Sequence, residues 1–482
     1  MIDLRPVGYV IGLMILGLGA FMIAPAIVDA TALNPDWRGF VVSSILTLLV
    51  GGALTLGCST GRRGGLTIEQ AFLLTVLSWV ALPLFGALPF VLGDYGASGV
   101  DALFESVSGI TTTGATIIVD LNEIPPGILL WRALLQWMGG VGIVIFAMIF
   151  LPTLQVGGMQ LFRSEAFDTA GKILPRATEI SISIFTIYLG LTLACALVYG
   201  LCGQNAFDAL CHAMTTLATG GLANYNGSFG ELSPASQYAA VVFMILAGLP
   251  FVRYVQLVRG DAEPLWRDSQ IRTFFAVIAA VVVILSLVRF QAAETTSEES
   301  FRQSLFNTVS LITGTGYTNA SYDAWGPFAV SILFLIGLIG GCAGSTCCSV
   351  KIFRYQVLAA IVVTEMRRVR RPNAIFTARY EGRPLKPDVV TSVLTFFFMF
   401  IASLAVLTLV LTYVGLDAQT ALSAAASALA NIGPGFGPIV GPDGNYASLP
   451  DSAKFALIVG MLLGRLELLS VLILFTPNFW LR

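Results

Sequence analysis

Histidine is almost missing from this chain: His212 is the single one in 482 residues. Charge is sparse as well, with Asp, Glu, Lys and Arg making up 11% of the sequence. The seven cysteines lack the paired spacing of a metal or redox centre, and adjacent Cys347-Cys348 reads as two small buried residues. No glycine loop runs into a helix in the way that cradles a nucleotide phosphate, so no nucleotide is expected on this chain. Each shortage removes a class of function. An enzyme needs a cluster of acid, base or metal-binding groups, and one histidine with few carboxylates at membrane depth does not supply it. A soluble fold would not tolerate 56% hydrophobic residues, a share that belongs to polytopic membrane proteins. The net charge of −2 decides nothing, and no nucleic-acid partner is expected.

What the sequence does have is a fourfold repeat. Ile312-Thr313-Gly314-Thr315-Gly316-Tyr317-Thr318 has relatives in Thr111-Thr112-Thr113-Gly114-Ala115-Thr116, Ala218-Thr219-Gly220-Gly221-Leu222-Ala223 and Ile432-Gly433-Pro434-Gly435-Phe436-Gly437. Aligned on a Gly-plus-apolar pair at Gly114, Gly221, Gly316 and Gly435, the copies lie 107, 95 and 119 residues apart (221−114, 316−221, 435−316). Before each copy stands a short apolar segment with a capping residue at its start: Asp101, Asn205, Ser300 and Asp417. A segment shorter than the ~20 residues of a crossing helix must enter the bilayer and turn back. Loop backbone cannot face lipid, so four such turns must gather around a shared watery axis. Glycine lets successive carbonyls point the same way, and carbonyls so aimed replace the water around a cation. The negative C-terminal ends of the short helices add to the attraction. Taken singly, any copy also reads as a small-residue turn in a helix-packing seam; four in register read as a cation-selective pore.

The long apolar runs fit around these turns. Val7 to Val28 and Phe40 to Leu56 form an uncleaved N-terminal hairpin. Then come Phe72 to Leu92 and Ile128 to Leu151, Ile180 to Leu201 and Tyr238 to Val258, Phe274 to Val288 and a long return from Phe328, and Val389 to Val414 and Phe455 to Phe475. The fold class is an all-α polytopic membrane protein with four pseudo-symmetric helix, pore helix, helix units around one pore plus the hairpin, roughly ten crossing segments. The expected division is 1–66 for the hairpin, then 67–176, 177–268, 269–386 and 387–482 for the units. Basic residues sort to one side: Arg62 and Arg63; Arg163, Lys172 and Arg176; Arg253, Arg259, Arg267 and Arg272; Arg367 to Arg383 with Lys386. That side is cytoplasmic. Asp120, Glu123, Glu231 and Asp323 dominate the opposite loops, with Arg289, Arg302 and Lys454 on the outer flanks, so the turns open outward and the acids concentrate cations there.

Two places break the repetition. The third return, Trp325 to Glu365, would cover ~60 Å as one helix, twice the hydrocarbon thickness. It must break, and the break is legible in Gly340-Gly341-Cys342-Ala343-Gly344-Ser345-Thr346. Non-helical backbone survives at membrane depth only against protein or water, so this loop is placed inside the pore below the turns, the alternative being a cytoplasmic turn. The second is Arg465, expected midway along the last span. A central arginine costs about 2.5 to 3.5 kcal/mol on insertion scales, so it needs a polar partner, drawn from carbonyls, Ser345, Thr346 or Glu467. His212 reads as a packed or hydrogen-bonding support of the second turn, with pH sensitivity as the alternative. Arg367-Arg368-Val369-Arg370-Arg371 reads as a lipid anchor or a docking site for a cytosolic partner.

These features together, the four glycine turns, the Gly340 to Thr346 run, the buried Arg465 and the N-terminal hairpin, resemble the TrkH family of potassium-uptake membrane subunits in the Trk/Ktr/HKT superfamily. The resemblance covers essentially the whole chain. It implies a homodimer with one pore per subunit, taking up potassium across a bacterial inner membrane. It implies K+ bound at Thr112, Thr113, Gly114, Thr219, Gly220, Gly221, Gly314, Thr315, Gly316, Gly433, Pro434 and Gly435, mainly by main-chain oxygens. It implies a gate of Gly340, Gly341, Ala343, Gly344, Ser345, Thr346, Lys351 and Arg465, and a cytosolic nucleotide-binding regulatory subunit of the TrkA type. The chain departs from the family where a glycine run gives way to Cys347-Cys348-Ser349, which stiffens the loop, and Pro434 removes a backbone donor from the fourth turn. Coupled potassium symport with protons or sodium is the alternative; Arg465, Glu467 and Lys351 are its only ionisable candidates. A multipass enzyme or scaffold is the remote one.

Overall fold

The computed structural model describes residues 2–63, 66–149, 177–291 and 296–480. The chain opens with α1 (Arg5–Phe21) and α2 (Ile23–Thr31), nearly one helix interrupted where Pro25 leaves the Phe21 carbonyl without its donor. α3 (Trp37–Gly57) returns beside them. A methyl on Gly51 would lie 2.8 Å from the Leu16 amide nitrogen, so glycine is what lets the two backbones touch.

Thr67 then caps α4 (Ile68–Gly86), its hydroxyl accepting from the Gln70 amide while the Gln70 side chain accepts from the Thr67 amide. After α5 (Leu88–Leu92) come the short α6 (Gly99–Ile110) and the long α7 (Pro126–Ile149). The pattern repeats with α8 (Ala177–Leu201), the short α9 (Ala206–Leu217) and α10 (Pro234–Gly248) with α11 (Phe251–Val258). A connecting α12 (Glu263–Arg267) leads to α13 (Ser269–Gln291), α14 (Ser297–Thr313), α15 (Pro327–Gly337) and α16 (Ile352–Arg370). A two-stranded hairpin, Arg379–Tyr380 with Arg383–Pro384, precedes α17 (Pro387–Tyr413), α18 (Ala418–Ala430) and α19 (Asp451–Arg465).

Among the described residues seven helices are long and apolar enough to cross a membrane, eight if α10 and α11 count as one span. This is an all-α, multipass membrane protein. Arg163, Lys172 and Arg176 lie outside the described residues.

Several boundaries differ from the sequence expectations. Two of the short helices begin earlier than read: Ser98 caps α6 and Thr296 caps α14, whereas Asn205 and Asp417 cap α9 and α18 as expected. Asp101 and Ser300 are inside the first turn instead, where the Asp101 carboxylate accepts from the Ser98 hydroxyl. Tyr238 to Val258 is not a straight span: α10 and α11 meet at 91°, because Pro250 cannot donate and Leu249 is extended. The last span also stops early, at Arg465, where Glu467 and Leu468 take positive φ of 54° and 30°.

The bend and the break in the third return answer one another. Leu338 to Lys351 separate α15 from α16, and most of this loop is buried. The Cys342 amide donates to Gly248 O at 3.1 Å, the Thr346 hydroxyl to Ala247 O at 3.1 Å, and the Phe251 amide to Gly344 O at 2.9 Å. Groups that the α10/α11 bend leaves without helical partners are thus satisfied by the loop, and the loop by the bend.

Candidate functional site

The four short helices end alike. Thr112, Thr219, Gly314 and Asn431 are left-handed, with φ of 52°, 50°, 71° and 51°. Their amides reach back three residues, to Gly109, Thr216, Leu311 and Ala428 O. The next amides, of Thr113, Gly220, Thr315 and Ile432, reach back five, to Ser108, Thr215, Ser310 and Ser427 O at 2.9 to 3.1 Å. This is the closure of a helix C-terminus by a left-handed residue, made four times over. One position further on, Gly114, Gly221, Gly316 and Gly433 have φ of 83°, 77°, 81° and 100°.

These hydrogen bonds shift the fourth copy by two residues: the equivalent of Gly316 is Gly433, not Gly435, and the intervals become 107, 95 and 117 (433−316). The expectation that Gly435 belongs to the ring is corrected. Its amide bonds Val440 O at 2.6 Å, and it packs on Ser423 in the loop outside. Pro434 abuts Gly316, and the fourth turn itself is Asn431, Ile432 and Gly433.

A methyl built on Gly114 would strike Gly220 O, on Gly221 Thr315 O, on Gly316 Ile432 O, and on Gly433 Thr113 O at 2.6 Å. First meets second, second third, third fourth, and fourth first again. Four equivalent carbonyl oxygens are therefore set in a closed ring, each against the glycine of its neighbour, with the negative ends of four helices behind them.

A second tier braces the ring, and of its bracing side chains the sequence reading named only His212. Glu105 accepts from the Ile117 amide at 3.0 Å and pairs with Arg132 at 2.7 Å; Arg132 also donates to Ala223 O at 3.1 Å. His212 takes the same place in the second turn, its Nε2 accepting from the Asn224 amide at 3.2 Å while Nδ1 meets Gln204 Oε1 at 2.8 Å. It is a hydrogen-bonding support. In the third turn the Asn307 amide group donates to Asn319 Oδ1 at 2.7 Å, and in the fourth the Phe436 amide donates to Ser423 Oγ. Gln136 clamps the second turn from α7, donating to Gly220 O at 2.6 Å and accepting from the Leu222 amide at 3.1 Å. Asn431 ties the fourth turn to the first through Thr113 Oγ1 at 2.9 Å. Of the outer acids, Asp120 accepts from Asn226, Glu231 from the Gly227 amide and Asp323 from the Gly437 amide. Burial pushes the Asp323 carboxyl above its ordinary range, the Gly437 N–H opposing.

The loop between α15 and α16 lies directly against the start of the turns. Cys348 Sγ is 3.8 Å from Thr112 Oγ1, and a methyl on Gly314 would touch the Cys348 amide at 3.8 Å. Gly340 and Gly344 hold φ of 80° and 78°, and among the loop's hydroxyls Ser345 bonds Cys342 O. Ala343 is held through its amide by Gln270 at 2.9 Å, and Ile352 by Gly341 O at 3.1 Å. Cys347 and Cys348 are buried and unbridged. Arg465 reaches Cys348 Sγ, Gly139 O at 3.3 Å and the face of Trp79 at 5.5 Å. Of its expected partners a carbonyl is found and Ser345, Thr346 and Glu467 are not; the loop contact is the unexpected Cys348. Glu467 is taken by Lys351 at 3.3 Å and by Arg354, whose guanidinium also lies 3.7 Å over the Phe396 ring.

Sequence comparison agrees with this geometry: the family profile TrkH, described as cation transport protein, matches residues 38–482. The chain belongs to the TrkH family. It is similar to the Trk system potassium uptake protein TrkI of Halomonas elongata, at 42% identity over 98% of this chain and 96% of that one. It is 37% identical to the Trk system potassium uptake protein TrkH of Vibrio parahaemolyticus, with 99% of both chains covered. The crystal structure of the potassium transporter TrkH from V. parahaemolyticus superposes with a TM-score of 0.91 at 34% identity, over 99% of this chain and 100% of that chain. As a member of the TrkH family the protein is a transporter and not an enzyme, and its apolar helices are those of a multipass membrane protein.

Proposed function

We propose that this chain is the membrane subunit of a Trk-type system that takes up potassium across a bacterial inner membrane. The observation that carries the reading is the closed ring of Thr113, Gly220, Thr315 and Ile432 oxygens against four glycines. Such oxygens stand in for the hydration shell of a dehydrated monovalent cation. The ion-binding set is Thr112, Thr113, Gly114, Thr219, Gly220, Gly221, Gly314, Thr315, Gly316, Asn431, Ile432 and Gly433. The chain is organised as a hairpin (1–66) and four units at 67–176, 177–268, 269–386 and 387–482. The gate is the Gly340 to Thr346 run with Lys351 and Arg465, seated beneath the ring.

The names of the relatives speak of a Trk system, which supports further components; a homodimer and a nucleotide-binding cytosolic subunit of the TrkA type complete the proposal. Flow is passive, because Glu467, the one carboxylate among the candidates for coupling, is tied to two cations. The test is cation flux in proteoliposomes holding the purified chain, with potassium or sodium gradients, with and without an imposed proton gradient. Potassium flux that exceeds sodium flux and ignores the proton gradient is expected. Equal fluxes would remove the ring reading, and flux driven by protons would replace passive flow by symport.

A further inference from the structure

On the side that carries the basic loops, an open cleft of about 510 Å³ is lined by Arg267, Ser269, Arg272, Gln356, Arg379 and Glu381, with Tyr380 beside them. Three arginines from the α12/α13 junction, the first turn of α13 and the β-hairpin face one space. One is already balanced: Arg267 pairs with Glu263 at 2.7 Å. Neither Arg272 nor Arg379 forms an ion pair with a described residue. The cleft's own acid is spent, since Glu381 accepts from the Ser269 amide at 3.2 Å and from its hydroxyl at the start of α13. Counting the three arginines against Glu381 and the Glu263 paired with Arg267, the cleft carries +1 (3−2). A planar guanidinium fork matches phosphate oxygens better than it matches a spherical anion. Next to Arg267 in the chain, Trp266 is 76% exposed.

We propose that this cleft binds a phosphate-bearing anion between Arg272 and Arg379. The geometry suits the headgroup of an anionic phospholipid, whose chains would lie along Trp266, and the same chemistry is offered by free phosphate. The site is also connected to the interrupted third return. Gln356, on the helix that follows the buried loop, donates to Ser269 O at 3.0 Å and to Thr273 Oγ1 at 2.8 Å, so the wall of the cleft joins α13 to α16.

The test uses the full chain in neutral detergent, titrated calorimetrically with dioctanoyl phosphatidylglycerol, with dioctanoyl phosphatidylcholine and with inorganic phosphate. Variants Arg272→Gln, Arg379→Gln and the double change are compared, all exposed enough to fold and to elute as the parent does. An arginine near an anionic surface contributes about a factor of five in affinity, so the double variant should bind about 25-fold more weakly. Saturable phosphatidylglycerol binding lost in this way, with phosphatidylcholine inert, supports the proposal with a lipid as the source. Saturable phosphate binding with the same arginine dependence supports it with a soluble source. Absence of saturable binding by either anion, or a double variant that binds as the parent does, overturns it. The result is independent of the flux measurement, so failure of the ring reading leaves this site standing or falling on its own.

Discussion

Gly316 sits at φ 81°, and a methyl added to it would meet Ile432 O. A side chain there incurs roughly 1–3 kcal/mol of backbone strain and also displaces a ring oxygen. Because about 1.4 kcal/mol is a factor of ten, Gly316→Ser should lower potassium over sodium discrimination about tenfold while the protein still folds. Selectivity that survives the change in reconstituted vesicles would separate the glycine from ion choice. Arg465 is the buried cation of the proposed gate. A unit charge within ~10 Å of a cation's path opposes it by about 2 kcal/mol at an effective dielectric of ~20, so Arg465→Ala should raise resting flux by up to about thirtyfold. Flux at the parent level would leave the arginine as a tie between Cys348 and Gly139 O alone. The turns were readable in the sequence because glycine and threonine recur, but the fourth register was not. Gly433-Pro434-Gly435-Phe436-Gly437 offers three glycines, and only the amide of Ile432 reaching Ser427 O selects among them. Once that register is set, the braces become readable too: Glu105, His212 and Asn307 each stand nine residues before a ring glycine (114−105, 221−212, 316−307).

At the scale of the element, three of the returning helices are interrupted among the described residues, and only one of these interruptions shows in the sequence. The stretch from Trp325 to Glu365 is too long to cross once, so its break follows from length. Tyr238 to Val258 and Phe455 to Phe475 have the length of ordinary spans. Pro250 alone would allow a mild kink; the 91° bend is fixed by the loop that fills its open carbonyls, a partner about a hundred residues away. The stop at Arg465 is fixed in the same manner, by a turn that carries Glu467 to Lys351 and Arg354. Breaking a buried charge group by removing one member costs about 3–5 kcal/mol, whereas replacing the whole group by apolar residues is often neutral. Glu467→Gln should therefore lower the thermal unfolding midpoint in detergent by several degrees, and the triple change of Lys351, Arg354 and Glu467 to Met should restore most of it. A single variant as stable as the parent would mean that the triad contributes nothing to joining α16 and α19.

At the scale of the molecule, the question is whether four units in one chain behave as four walls or as one ring. Closure depends on contacts between the ends of the sequence: Asn431 with Thr113 Oγ1, the Tyr446 amide with Thr116 O at 2.9 Å, and Lys454 with Asp101 at 2.6 Å. No local pattern predicts them, because they join residues more than three hundred positions apart. If closure sets the ring, losing it from either side should have the same effect once. Asn431→Ala removes the donor and Thr113→Val the acceptor, while both leave the main-chain oxygens in place. Each lost bond is worth about 1–3 kcal/mol when the remaining partner is buried. Each single variant is therefore expected to reduce potassium over sodium discrimination roughly five- to tenfold, and the double variant no further, since neighbours that share one interaction are not additive. Discrimination ratios from the same proteoliposome flux measurements decide it. Two losses that multiply would show that the first and fourth units act on the ion separately, and that the ring is an arrangement of neighbours without mechanical continuity.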